Sequence, residues 1–120
     1  MRLFKRIRIF QSRSLVCVIN QNFCSGDKWY TGYVEIPKGS KLLKSDRDFS
    51  FSNHGTNGIT FIGQLKGNDK RIKDKFFLGF DFNHPWDKTG GSVREAELMC
   101  YKLAQKLRDG EVTASIKDGD

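Results

Sequence analysis

A chain of 120 residues predicts one domain that buries roughly two-thirds of its unfolded surface and needs no disulfide or metal to fold. Its formal charge of +7 favours an anionic partner. No apolar run approaches the ~20 residues of a membrane span, the basic N-terminus lacks the apolar segment of a signal peptide, and three cysteines without a CxxC pair indicate free thiols. We therefore expect a cytoplasmic protein with no membrane contact.

The N-terminal part of the chain predicts three strands. Residues 6–10 alternate as an edge strand does, and residues 15–19 (LVCVI) form a continuous apolar run typical of a central strand. Residues 21–28 contain Asn, Ser, Gly and Asp and predict a turn. Residues 29–36 predict a third strand, which the Pro-Lys-Gly-Ser segment at 37–40 ends.

Shorter strands follow in the second half. Residues 49–52 and 59–65 predict strands on either side of a loop rich in glycine and asparagine. A basic connection at 66–75 leads to the strand 76–82, whose alternate residues face opposite sides of the sheet. A last short strand at 112–116, or a loose tail, ends the chain.

The one strong helical pattern runs from Ser92 to Asp109. Ser92 and Glu95 form a capping box at its start. Its apolar stripe consists of Val93, Ala96, Met99, Cys100, Leu103, Ala104 and Leu107. Because the connections are too short for βαβ crossovers, the sequence predicts an α+β fold in which one C-terminal amphipathic helix covers a mostly antiparallel sheet.

Polar and aromatic residues collect where the strand 76–82 ends. Asp81 and Asn83 alternate onto one strand face, and His84, Trp86 and Asp87 follow. His54 lies in the glycine-rich loop before Thr60, and this loop could fold over them. Histidine–carboxylate clusters bind metals or transfer protons, but this spacing matches no metal motif. A ligand site without chemistry is a second explanation, and a turn-stabilising network around Pro85 is the plainest one.

Two further features could bind an anion. Trp29, Tyr33, Phe77 and Trp86 are the aromatic residues expected off the core face, where they could stack on bases, although core packing must claim most aromatics. Arg94, Tyr101 and Arg108 share one helix edge that could hold phosphate, or could be solvated surface with intrahelical pairs. The candidate ligand-binding residues are His54, Thr60, Asp81, Asn83, His84, Trp86, Asp87 and Arg94, and we expect no catalytic residue, metal or cofactor.

Three segments recur in a fixed order before the helix. They are residues 32–39 (GYVEIPKG), 54–60 (HGTNGIT) and 78–87 (LGFDFNHPWD). Together they resemble the GYVxVPxG, HGGxT and FGFDxxHxxD motifs of a family of small, largely uncharacterised proteins encoded by tailed bacteriophages and prophages. The resemblance covers about two-thirds of the chain, residues 29–107. It implies a phage protein acting in the cytoplasm of a host bacterium.

The polar positions of that family fall on His54, Gly58, Thr60, Asp81, His84 and Asp87. The chain departs from the pattern at Ser40, where the family usually has histidine, and at Thr56-Asn57, which interrupt the His–Gly–Gly turn. Both departures weaken a metal or catalytic interpretation, because a ligand is missing and a loop is rebuilt.

These observations predict a binding protein without catalysis. We expect it to act against host or anti-phage machinery by sequestering or blocking an anionic partner, either a nucleotide or a nucleic acid, or by contacting a host or defence protein. One alternative is a metal-assisted nucleotide or phosphodiester hydrolase that uses His54, Asp81 and His84. Another is a nucleic-acid-binding module that uses the basic clusters at 2–13 and 66–75. Whether the chain forms a homo-oligomer is left open.

Overall fold

The computed structural model describes residues 3–40, 61–81 and 91–109 with their side chains, and residues 49–51 and 114–116 by their backbone. The elements within these ranges are β1 (Leu3–Ser12), β2 (Leu15–Cys24), β3 (Asp27–Glu35), β4 (Phe49–Phe51), β5 (Phe61–Gly63), β6 (Phe77–Asp81), α1 (Val93–Arg108) and β7 (Ala114–Ile116). Five strands form an antiparallel sheet in the order β1-β2-β3-β6-β5, and β4 pairs with β7. The predicted α+β fold is confirmed, and β1 lies at a sheet edge as expected.

The helix forms where the capping box predicted it. The Ser92 hydroxyl accepts a hydrogen bond from the Glu95 amide at 3.1 Å and donates one to the Glu95 carboxylate at 3.2 Å. Ala96, Cys100, Leu103, Ala104 and Leu107 are buried on the sheet, and Val93 and Met99 are partly buried beside them. The predicted stripe is therefore the side of α1 that packs against the sheet. We call the side of the sheet that α1 covers the helix face.

The turn predicted for residues 21–28 is much shorter than expected. β2 continues to Cys24 and β3 begins at Asp27, so the turn consists of Ser25 and Gly26 alone. Both have positive φ, 51° and 88°, as a tight two-residue hairpin requires. As a result, Asn22 lies within a strand although asparagine is rare there.

The core on the helix face is closed and apolar. Leu15, Cys17 and Ile19 of β2 meet the helix stripe together with Val34, Ile36, Leu78 and Phe80. Cys17 and Cys100 are free, buried thiols. Their mutual hydrogen bond and the burial raise the pKa of the Cys100 thiol well above its ordinary value, so this thiol stays neutral within the core.

A second core covers part of the opposite face, which the sequence analysis did not anticipate. Val16, Val18 and Phe77 pack there against Ile72, with Leu65 at the margin. Ile72 and Leu65 come from residues 64–72, the segment after β5, which we call the strap. Trp29 and Phe77, expected off the core face, are both buried. For Phe77 the reason is the strap, which gives this face an apolar cover of its own.

Candidate functional site

Most of the predicted ligand-binding residues lie outside the described part of the chain: His54, Thr60, Asn83, His84, Trp86 and Asp87. Their predicted convergence therefore stays a prediction. The two that are described, Asp81 and Arg94, lie on different elements. Asp81 ends β6 and faces away from the helix, whereas Arg94 lies in the first turn of α1. The structure does not bring these two residues together.

Asp81 lies in a groove on the face opposite the helix, beside the second core. The groove encloses about 490 Å³. We call it the sheet groove. Its described lining consists of Phe4, Arg6, Asn20, Asn22, Thr31, Tyr33, Phe61, Gln64, Leu65, Lys66, Phe80 and Asp81. Concave sites that combine apolar walls with a few convergent polar groups are the usual form of a ligand pocket.

A single row of polar residues crosses the floor of the sheet groove. Arg6 of β1 is registered with Asn20 of β2, Asn20 with Thr31 of β3, and Thr31 with Asp81 of β6. Side chains of directly paired residues project to the same face of an antiparallel sheet. The register therefore aligns a cation, an amide, a hydroxyl and a carboxylate across four strands.

Hydrogen bonds hold this row in place. Arg6 donates from Nε to Oδ1 of Asn20 at 3.0 Å, and Asn22 donates from Nδ2 to the Thr31 hydroxyl oxygen at 3.0 Å. Asn20, Asn22 and Thr31 are all buried polar residues. Each of these three side chains has a hydrogen-bond partner, and this bond offsets the free-energy cost of burying its polar atoms. The hydrogen bonds also fix the orientation of the side chains in the groove.

Arg6 also connects the sheet to the strap. Its terminal nitrogens donate to the Lys66 carbonyl oxygen at 3.4 and 3.3 Å. Burial lowers the pKa of the Arg6 guanidinium from its ordinary value, while Tyr33 and Asp69 act in the opposite direction. A guanidinium is a cation at neutral pH, and here it lies in a site where less water screens its charge.

Aromatic rings form the wall of the sheet groove at the β5 end. Tyr33 and Phe61 meet edge to face, with ring centroids 5.3 Å apart. The Tyr33 ring lies over Gly79, since a Cβ atom built on that glycine would be 2.7 Å from Cδ1 of the ring. At the other end, Phe4 of β1 lies beneath the Arg6 guanidinium, 5.5 Å from it. Of the aromatic residues predicted to stack, Tyr33 is in the groove.

The helix edge that could have held phosphate makes contacts within the fold. Arg108 donates to the carbonyl oxygens of Arg13 and Ser14 at the β1–β2 turn, 2.8 and 3.4 Å away. Tyr101 meets the Phe10 ring edge to face at 5.7 Å. Arg94 lies 3.8 Å from Glu97, which also pairs with Arg8. These contacts correspond to the alternative of intrahelical and surface pairs.

Sequence reasoning proposed only Asp81 and Tyr33 among the groove residues and missed the others, including Arg6, Asn20, Asn22 and Phe61. Asn22 was assigned to a turn and Asn20 was not assigned, and Arg6 was interpreted only as part of an edge strand and of a basic cluster. A signal was present, since Val16, Val18, Asn20 and Asn22 alternate along one face of β2. If the strand had been extended beyond residue 19, the alternation would have predicted that Asn20 and Asn22 lie on the same face of the sheet as Val16 and Val18.

Comparison with known proteins gives no relative from which to transfer a function. No protein-family model, curated protein or solved structure matches this chain, and the resemblance to phage proteins stays a prediction. Among the described residues, no helix is long and apolar enough to cross a membrane. No three metal-ligating side chains cluster in residues 3–40, 61–81 and 91–109.

Proposed function

We propose that this protein binds a nucleotide-type anion in the sheet groove without converting it. The observation that carries the proposal is the partly desolvated Arg6 guanidinium, which shares one groove with buried amides and an aromatic wall. A cation suits phosphate, amides and hydroxyls suit the edge of a base, and an aromatic ring suits its face. Nucleotides combine all three of these chemical features.

Arg6 keeps donors for such a ligand. A guanidinium carries five N–H groups. The contacts with Asn20 and Lys66 engage one N–H on each of its three nitrogens, which leaves one on each terminal nitrogen. These two N–H groups point to opposite sides of the guanidinium, so each can donate to a separate oxygen acceptor of a ligand.

The phage setting supplies the biological part of the proposal. A small basic protein that sequesters a signalling nucleotide, or blocks a nucleic-acid-linked component, would act in counter-defence or host takeover. This part is supported by the motif resemblance and by the charge of +7.

A nucleic-acid-binding module is the second candidate, and one contact favours it. Because Arg6 bonds the Lys66 carbonyl, one basic residue of β1 and one of the 66–75 cluster meet at the groove. A strand of nucleic acid would release several counterions on binding, whereas a mononucleotide would release few. The salt dependence of binding to mononucleotides and to short single strands therefore separates the two candidates.

The test is direct binding with recovery of the ligand. Nucleotides are titrated with and without divalent metal, by thermal shift and calorimetry, and the protein is then denatured to recover the ligand. We expect intact ligand, and binding that weakens as salt rises. Cleaved product that disappears in Asp81→Asn would make the protein an enzyme.

A matched pair of variants tests the location. Arg6→Gln should abolish most binding, whereas Arg8→Gln removes the same charge from the same strand on the helix face and should leave binding unchanged. Because Arg6 also holds the strap, Arg6→Lys keeps a charge at that position and should retain part of the affinity. Equal losses in Arg6→Gln and Arg8→Gln would place the ligand elsewhere.

A further inference from the structure

The two ends of the sheet groove carry opposite charges, and this polarity could select one kind of base. The Asp81 carboxylate lies at the β6 end of the polar row, and the Arg6 guanidinium lies at the β1 end beside Lys66. Three steps between neighbouring strands separate the two backbones, roughly 14 Å. The Arg6 side chain covers part of this distance, and an extended mononucleotide is long enough to span the remainder, from the guanidinium to Asp81.

The aromatic wall lies at the carboxylate end. Tyr33 is registered with Gly79, two residues before Asp81 on the same strand, and Phe61 is registered with Gly79 from the other side. A base is therefore expected beside Asp81, and the phosphate beside Arg6. This orientation keeps the anionic group of a ligand away from the carboxylate.

The amide between the two ends contributes a donor. Asn20 accepts the Arg6 hydrogen bond through Oδ1, and its Nδ2 makes no hydrogen bond within the described part of the chain. From Asp81 to Arg6 the row thus offers a carboxylate that accepts, the Thr31 hydroxyl, whose oxygen accepts from Asn22, an amide that donates and a guanidinium that donates. A carboxylate has four acceptor positions on two oxygens, so Asp81 can accept from a ligand in addition to any contact within the protein.

We propose that the sheet groove selects guanine nucleotides, with Asp81 accepting hydrogen bonds from N1–H and N2–H of the base, Asn20 donating to O6, and Arg6 with Lys66 binding the phosphate. This inference rests on the proposed function. Guanine is the common base that presents two adjacent donors on its pairing edge. Adenine and cytosine place a ring acceptor beside their amino donor, and uracil flanks its one donor with carbonyl oxygens, so each would set a lone pair against the carboxylate.

The first experiment compares GMP with IMP and AMP by calorimetry on the wild-type protein. IMP keeps N1–H and O6 and lacks only the 2-amino group. We expect IMP to bind about 5- to 150-fold more weakly than GMP, the discrimination typical of a bidentate contact to a base, and AMP more weakly still. Equal affinity for GMP and IMP would overturn the assignment of Asp81.

The second experiment exchanges the specificity. Xanthine carries a carbonyl oxygen where guanine carries the 2-amino group, and an asparagine amide can donate to that oxygen. Asp81→Asn should therefore bind GMP about 5- to 150-fold more weakly and gain affinity for XMP over the wild type. Because a gain of affinity needs a folded groove, it cannot come from damage to the fold. Loss of GMP binding without a gain for XMP would argue against direct contact.

These results distinguish failure of the inference from failure of the proposed function. If all nucleotides bind equally and Arg6→Gln abolishes them all, the groove is a nucleotide site but guanine selection is wrong. If GMP, IMP, AMP and XMP all fail to bind the wild-type protein, both the proposed function and the guanine inference are wrong.

Discussion

The two faces of the sheet are built from the same strands and differ in what they bury. On β2, Leu15, Cys17 and Ile19 enter a closed apolar core under the helix, whereas Val16 and Val18 enter a smaller core under the strap. Beyond Val18 the second face becomes polar, because Asn20 and Asn22 continue the alternation. The apolar cover ends where the amides begin, and this is where the groove opens.

Two consecutive residue pairs show the same contrast at close range. Gly32 of β3 is registered with Phe80 of β6, and the next pair is Tyr33 with Gly79. Each pair places an aromatic ring over a glycine, on opposite faces of the sheet. The Phe80 ring is buried against the helix-face core, whereas Tyr33 is only half-buried in the groove. An aromatic ring packed over a glycine of the neighbouring strand therefore occurs on both the closed and the open face of the sheet.

The largest expected effect is on the helix face. Leu103 is 7% exposed, so Leu103→Ala should lower the free energy of unfolding by roughly 2–5 kcal/mol. The matched control is Leu98→Ala, because Leu98 lies on the same helix and is 46% exposed. That control should change stability by less than about 0.5 kcal/mol. Urea unfolding measures both, and equal losses would mean that the stripe is not buried as described.

A pair of glycine substitutions tests the contrast between the faces directly. A Cβ atom at Gly32 would lie 2.2 Å from Cζ of Phe80, and Phe80 is too enclosed to move. Gly32→Ala should therefore cost about 1–3 kcal/mol by overpacking, with little effect on a groove ligand. Gly79→Ala should cost less stability, because the half-exposed Tyr33 ring can tilt away, but it should weaken nucleotide binding by displacing that ring.

The two glycine variants are compared by unfolding and by nucleotide titration. A larger stability loss in Gly79→Ala than in Gly32→Ala would contradict the assignment of Phe80 to the closed face. Unchanged nucleotide affinity in Gly79→Ala would remove Tyr33 from the site.

The strap is expected to be held less strongly than the helix. Ile72 is 1% exposed and is the residue that the strap buries most deeply, so Ile72→Val should cost roughly 0.5–1.5 kcal/mol. Ile62→Val is the control, because Ile62 of β5 is 37% exposed and should be nearly neutral. Hydrogen exchange of residues 64–72 shows whether the loss is local. A neutral Ile72→Val would mean that the strap does not anchor this face.

The sequence was sufficient to predict the helix and its buried face. The capping box at Ser92 and Glu95 and the 3.6-residue stripe are local signals, and both hold in the structure. Val34 and Thr31 lie on opposite faces of β3, as the alternation of a strand requires. The turn at Ser25 and Gly26 was predicted to be too long, because asparagine-rich segments indicate turns only on average.

The site could not be found in the same way, because it depends on register. Arg6 and Asp81, the two ends of the row, are 75 residues apart along the chain, and no local pattern indicates that they are paired with Asn20 and Thr31 in one row. The bulge in β1 between Arg6 and Arg8 adds to this difficulty, since it turns Arg6 and Arg8 to opposite faces where strict alternation would keep them together. Of the four residues in the row, the sequence analysis proposed only Asp81 as a ligand-binding residue.

The smallest expected effect is a pH dependence of the strap. The Asp69 carboxylate accepts hydrogen bonds from the backbone amide of Arg71 at 2.8 Å and from its guanidinium at 3.0 and 2.7 Å. These bonds lower the pKa of Asp69 from 3.8 to about 2. Because the folded-state pKa lies below the unfolded value, the contribution of Asp69 to stability is present above pH 3.8 and is lost as the pH falls towards 2.

NMR titration of the Asp69 carboxyl group and hydrogen exchange of the Ile72 amide measure this effect. The Ile72 amide donates to the Asp69 carbonyl oxygen at 3.0 Å, so it reports on the same turn. We expect a midpoint of about 2, with exchange at Ile72 rising over the same range. Asp69→Asn should remove that pH dependence and leave the helix face unaffected. A midpoint near 3.8 would mean that Arg71 does not hold the carboxylate in solution, and that the strap owes its position to Ile72 and Arg6 alone.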